Sequence, residues 1–336
     1  MKAAVIGSGA WGTALALVLL ENGHEVTLWS YLPEESRAME QSGENPMLKG
    51  VPLPRTLSFT TDMGCVAECG LVVLATPSFA VRNTARQLAG HLKDGTVLVL
   101  VSKGIEKDTS LLLSQVVEEE VGPRCPVVVL SGPSHAEEVG RHVPTAVVAA
   151  SADQKSAELV QDAFMNQRFR VYTSPDTIGV EVGAALKNVM ALCVGCCDGL
   201  GLGDNTKAAL MTRGLTEIAR LGVAMGARKE TFAGLAGMGD LIVTCTSMHS
   251  RNHRAGILVG QGKSAQQAME AMNGAVVEGY YAAQSAMTLA EKLGVEMPIT
   301  RGAYGVLYEG KDILAALTEL MTRDKKEELE TDKSWI

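Results

Sequence analysis

A chain of 336 residues, 46% apolar and 20% charged, is long enough to close two hydrophobic cores. Its net charge of −8 excludes nucleic acid as the main partner, because phosphate backbones select basic surfaces. A small anion is still allowed, since it needs only a local cluster of lysine and arginine.

The first half alternates β-branched runs with amphipathic ones. Strands are expected at 3–7 (AAVIG), 25–30, 57–60, 71–76, 96–102, 126–132, 145–151 and 169–174. Helical patterns fall at 11–22, 34–41, 62–68, 79–91, 109–120 and 154–165. Continuous apolar strands alternating with helices predict a doubly wound α/β domain: a parallel sheet covered on both faces, of Rossmann type. After Ser174 the pattern is helical, at 176–198, 205–225, 231–238, 264–272, 278–293, 298–308 and 312–321. The chain is therefore expected to divide into an α/β domain, 1–174, and an all-α domain, 175–336. The end, DKKEELETDKSWI, reads as a solvated tail.

Charges interrupt every apolar stretch, so no integral membrane segment is expected. The N-terminus runs straight into a Gly-rich loop without a secretory pattern, and the seven cysteines are odd in number. Both features suggest reduced thiols in the cytoplasm. Cys193 and Cys196 lack a second pair to complete a zinc site, so no metal is expected.

Gly7-Ser8-Gly9-Ala10-Trp11-Gly12 is a G-x-G-x-x-G that follows a strand and opens a helix, the context a dinucleotide fingerprint requires. Gly7 allows the tight turn, Gly9 the approach of a pyrophosphate, and Gly12 close packing of helix on strand. Strand two ends Trp29-Ser30-Tyr31, with no acid to hold a ribose 2′-hydroxyl and no arginine before Arg37. Neutral Ser30 would tolerate a 2′-phosphate, so the cofactor is NAD or NADP with the preference open.

LKNVMALCVGCCDGLGLGDNTKAALMTRGLTEIARLG at 186–222 resembles the bacterial NAD(P)-dependent glycerol-3-phosphate dehydrogenases. So do SKGIE at 102–106, SGPSHAEEV at 131–139, GMGDLIVTCTSMHSRNHRAG at 237–256, VVEGYYAA at 276–283 and PITRGAYGVLYEGK at 298–311. The matches run in family order from Gly7 to about Lys311. The resemblance implies interconversion of dihydroxyacetone phosphate and sn-glycerol 3-phosphate for glycerophospholipid synthesis. It also implies a cleft between the two domains and a homodimer.

Such a substrate needs cations for its phosphate and a proton donor at the carbonyl oxygen. Lys187 lies in an apolar helix, where burial lowers an ammonium pKa toward values useful for proton transfer. A lysine snorkelling from a surface helix is the simpler alternative that the resemblance outweighs. The resemblance assigns Asn188 to orienting substrate and Lys103, after strand 96–102, to contacting it. Asp240 and Thr244, four apart, share a helix face; by resemblance they meet Lys187. Asp240 as a helix N-cap is compatible with that. Ser250-Arg251-Asn252 is the expected phosphate grip, with His253 and Arg254 on its rim and a solvated basic loop as the alternative.

Gly132-Pro133-Ser134 resembles the substrate turn, with Gly132 and Ser134 toward substrate. His135 stands where most members carry Phe or a similar apolar residue. Cofactor contacts are implied for Gly7, Gly9, Ala10, Trp11, Gly12, Tyr31, Pro77, Lys103, Ala136, Arg251, Val276 and Glu278. The loop at 45–54, NPMLKGVPLP, departs from the family wording and receives no role. Met190, Met211, Met225, Met238, Met248, Met269 and Met272 read as core filler. Two rivals remain: another β-hydroxyacid-type dehydrogenase, which usually separates the lysine from the asparagine, and a non-catalytic dinucleotide-binding regulator. The full set Lys103, Lys187, Asp240, Thr244 and Arg251 argues against the second.

Overall fold

The structure is a computed structural model and describes residues 1–272 and 276–328. The eight expected strands form: β1 (Lys2–Ile6), β2 (Glu25–Trp29), β3 (Ser58–Thr60), β4 (Leu71–Leu74), β5 (Val97–Leu100), β6 (Val127–Ser131), β7 (Thr145–Ala150) and β8 (Phe169–Ser174). They pair in the order β3-β2-β1-β4-β5-β6-β7-β8. Around them lie α1 (Ala10–Glu21), α2 (Pro33–Ser42), α3 (Val81–Ala89), α4 (Leu113–Val121), α5 (Ala136–Val139) and α6 (Gln154–Phe164).

Side chains alternate across the sheet, as period two requires. Val5, Leu71, Val73 and Val99 join a cluster with Leu15, Leu19 and Phe164. Ile6, Val72, Leu74 and Leu98 join the opposite cluster with Val81, Leu88 and Val117. Both faces are thus covered, the doubly wound arrangement expected. The expected all-parallel sheet fails at one pair, because β6 and β7 run antiparallel. Only the single-turn α5 separates them, and a parallel return normally needs a longer crossover. β8 then returns parallel to β7 by way of α6.

Helices follow: α7 (Thr177–Gly199), α8 (Asp204–Ala224), α9 (Asp240–Thr246), α10 (Arg251–Gly260), α11 (Ala265–Glu270), α12 (Glu278–Leu293), α13 (Pro298–Tyr308) and α14 (Ile313–Met321). The Asp176 side chain caps α7 at Gly179 N, 2.9 Å, and accepts from Arg228 N at 2.9 Å. From Val180 to Leu192 every α7 residue is buried. A helix apolar on all sides belongs in the interior, and α7 is wrapped by α8, α9, α10 and α12. With 23 residues and a mean hydropathy of 1.5 it is long and apolar enough to cross a membrane, but 89% of that window is buried in the fold.

Two residues a turn apart on α7, Gly195 and Gly199, face Gly256 and Gly260 on α10. A methyl at Gly195 would strike the His253 carbonyl oxygen, and one at Gly256 that of Leu192. This seam lets the two backbones touch and fixes the start of α10 against the middle of α7. The segment HSRNHR is therefore the entry to a helix and not a solvated loop. Met238 and Met248, expected in the core, are instead 43% and 61% exposed. The tail is exposed as far as Glu328; 329–336 lie outside the described residues.

Candidate active site

Strand order reverses between β1 and β4, and the Gly loop sits at that switch point, where open α/β sheets take their ligands. Gly7 has φ +122°, and a Cβ there would lie 2.7 Å from the Ala75 carbonyl oxygen. A methyl at Gly12 would strike the Gly7 carbonyl oxygen. Gly9 differs: its φ of −64° suits any residue, and a Cβ would meet nothing within 4 Å. Nothing in the protein requires glycine there, so the space answers to a ligand. Gly9 is the N-cap of α1 without a side-chain cap, which leaves the helix amides free for phosphate oxygens. The buried hydroxyl of Thr76, whose backbone lies against Gly7, and the indole nitrogen of Trp11, within the loop, have no partner among the described residues. The site fits a dinucleotide.

The second cluster is built by α7 and α9. A π turn, Leu235–Gly239, leads into α9 and presents Asp240 and Thr244 on one buried face. Gly239 is the N-cap, so Asp240 is the first helical residue and not a cap. Lys187 Nζ donates to Asp240 Oδ1 and, at 2.7 Å, to Thr244 Oγ1. Lys103 Nζ donates to Asp240 Oδ2 at 2.7 Å and to the Gly132 carbonyl at 3.4 Å. One buried carboxylate thus bridges two ammonium groups. Burial pushes Lys187 down to about 7, helped by Lys103 and opposed by Asp240. Burial alone would raise Asp240, but the two lysine charges hold it below the usual carboxylate range.

Beside this cluster Asn252 Nδ2 donates to Asn188 Oδ1 at 2.9 Å, and Gly279 N donates to Asn252 Oδ1 at 2.8 Å. Ser250 caps α10 through His253 N at 3.2 Å, and Arg251 is exposed next to it. From α12, Glu278 accepts from Ser78 Oγ at 2.7 Å, so it reaches across to the turn after β4 beside Pro77. Burial raises its carboxyl pKa.

Residues 2–157 match the family described as NAD-dependent glycerol-3-phosphate dehydrogenase N-terminus, and 176–318 match its C-terminus. The glycerol-3-phosphate dehydrogenase [NAD(P)+] of Moorella thermoacetica is 56% identical over 98% of both chains. That of Desulfitobacterium hafniense is 54% identical, covering 98% of this chain and 93% of its own. The chain belongs to the NAD(P)-dependent glycerol-3-phosphate dehydrogenase family. The crystal structure of the glycerol-3-phosphate dehydrogenase of Coxiella burnetii superposes with a TM-score of 0.91 at 40% identity, covering 96% of this chain and 99% of that one.

Within this dehydrogenase, Lys187, Asp240, Thr244, Lys103 and Gly132 form one connected network, while Asn188 and Asn252 form another. Ser134 Oγ donates back to the Gly132 carbonyl at 3.1 Å. Ala136 is buried in the cluster beside α1. Tyr31 is 79% exposed at the end of β2, and Val276 is half-buried. His253, expected on the rim, is instead buried, and its Nε2 lies 2.8 Å from Asp198 Oδ2. His135 stacks obliquely on His249, ring centroids 5.6 Å apart.

Asn45 and Phe79 lie near the Gly loop and the turn after β4, and the sequence reading gives neither a role. Asn45, in the loop given no role, donates to the Ser8 carbonyl at 2.8 Å and to Thr13 Oγ1 at 2.7 Å, bracing the Gly loop from outside. Phe79 stands 76% exposed beside Pro77. An apolar ring next to a strand-end proline at a switch point was the available signal for it; Asn45 offered none.

Proposed function

We propose that Lys187 is the proton donor and acceptor in the reaction by which this NAD(P)-dependent dehydrogenase interconverts dihydroxyacetone phosphate and sn-glycerol 3-phosphate. The observation that carries this reading is the Lys187–Asp240–Lys103 bridge, buried between the Gly-loop domain and the helical one. A nicotinamide bound there would supply or accept the hydride. As the carbonyl oxygen gains charge, Lys187 Nζ gives it a proton, and Lys103 adds a second positive charge nearby. Asp240 keeps both ammonium groups aimed, and Thr244 fixes the Lys187 rotamer. The apolar walls of α7 exclude water and lower the Lys187 pKa, so that either protonation state is accessible near neutrality.

Arg251 and the Ser250 hydroxyl hold the phosphate, with Asn252 setting Asn188 toward the substrate. The Gly7–Gly12 loop, Tyr31, Pro77, Lys103, Ala136, Arg251, Val276 and Glu278 would hold the cofactor, which is NAD or NADP. The boundary falls at Ser174–Pro175, between the last strand and α7. Supply of the phospholipid backbone, a cytoplasmic location and a homodimer complete the reading on family resemblance. Loss of 340 nm absorbance with dihydroxyacetone phosphate and either reduced nucleotide is the expected result. Oxidation with 3-oxoacids alone would favour a β-hydroxyacid dehydrogenase instead.

A further inference from the structure

We infer that Glu35 selects between the two dinucleotides and that it selects NADH. The inference rests on the dinucleotide reading of the Gly7–Gly12 loop. β2 lies parallel to β1 with Trp29 opposite Ile6, and Gly7 N donates to the Trp29 carbonyl at 3.1 Å. Ser30 therefore stands directly beside the Gly loop, its Oγ 2.8 Å from Ser8 Oγ. In doubly wound folds this strand end receives the adenosine ribose, and an acid there accepts from the 2′-hydroxyl. The sequence offers only Ser30 at the strand end itself.

The fold supplies the missing acid from the next element. Glu35 lies in the first turn of α2, half-buried, with Oε2 3.4 Å from Ser30 Oγ. The positive end of α2 favours an acid in that turn, but Glu34 meets the same demand from an exposed position. The helix dipole thus leaves unexplained why Glu35 is turned against Ser30. A cation that could offset a 2′-phosphate is not offered by α2: Arg37 is exposed, and its Nε donates to the Pro33 carbonyl at 3.2 Å. Residues two apart on a helix do not share a face, so Arg37 points away from the Glu35 side. A 2′-hydroxyl would donate to the Glu35 carboxylate, whereas a 2′-phosphate would meet it as a second anion.

The test is fluorescence titration of NADH and of NADPH, without substrate, against the wild-type protein, Glu35→Gln and Glu35→Arg. Steady-state kcat/KM with each nucleotide runs in parallel. The wild type is expected to bind NADH tighter by on the order of ten- to a hundred-fold, the worth of one charge-assisted hydrogen bond. Glu35→Gln should narrow that ratio, and Glu35→Arg should invert it. The wild-type ratio needs no variant, so the first arm stands even where a variant folds poorly. Equal binding, tighter NADPH, or an unchanged ratio in folded Glu35→Gln would overturn the inference alone. Binding of neither nucleotide would overturn the dinucleotide reading and the inference with it.

Discussion

Lys187 takes its electrostatic setting from burial and from two charged neighbours, Asp240 and Lys103. An isolated buried ammonium costs several kcal/mol, and Asp240 offsets that cost while Lys103 works against it. Removing Asp240 would leave two cations facing each other, so it acts as the keystone of the cluster. Arg251, by contrast, is exposed, and its guanidinium fork is free to meet phosphate oxygens in two parallel hydrogen bonds. Arg251→Ala should raise KM for dihydroxyacetone phosphate by roughly ten- to a hundred-fold, the worth of a charged hydrogen bond. Unphosphorylated dihydroxyacetone should be affected far less. Steady-state kinetics on both substrates checks this, and equal effects would place the guanidinium away from the phosphate. At this scale much was legible. Asp240 and Thr244 announce a shared face by their spacing, and Lys187 is conspicuous in an apolar helix. Glu35 and Asn45 were not legible, because each acts on a partner that only the packing of a distant element supplies.

At the scale of elements, the middle of α7 is a hub with three partners. The π turn before α9 delivers Asp240, α10 delivers Ser250 to Asn252, and α12 delivers Glu278. The glycine seam between α7 and α10 holds Ser250, Arg251 and Asn252, the proposed phosphate residues, in register with Lys187. Gly256→Ala puts a methyl into the Leu192 carbonyl, and overpacking of this kind costs about 1–3 kcal/mol. A lower melting temperature, together with a raised KM for dihydroxyacetone phosphate, is the expected outcome. An unchanged melting curve would mean that the helices part without cost. The strands were readable from their β-branched runs, and so was α7 from its unbroken apolar stretch. Helix α10 was obscured because its first turn, Arg251-Asn252-His253-Arg254, is polar in sequence. His253 is nevertheless buried there, with Asp198 from α7 as its partner.

For the whole molecule, the charged cluster lies where the α/β half and the helical half meet. Lys103 and Gly132 come from the segments that follow β5 and β6, Lys187 and Asp240 from the helices, and the Ser78–Glu278 hydrogen bond ties the two sides beside the Gly loop. The order of strands and helices predicts this architecture from sequence. The direction of β7 does not follow from any run of residues, because connection length and packing decide it. The central claim is that Lys187 carries the proton. Its most direct test is the pH dependence of dihydroxyacetone phosphate reduction, followed at 340 nm for the wild type and Lys187→Met. Reduction needs the protonated amine, so wild-type kcat/KM should fall as pH rises through about 7, the value to which burial lowers Lys187. Lys187→Met should lose about 10²–10⁴-fold in turnover, the usual worth of a general acid, and its residual rate should lack that step. A Lys187→Met enzyme with wild-type turnover and the same pH profile would contradict the claim.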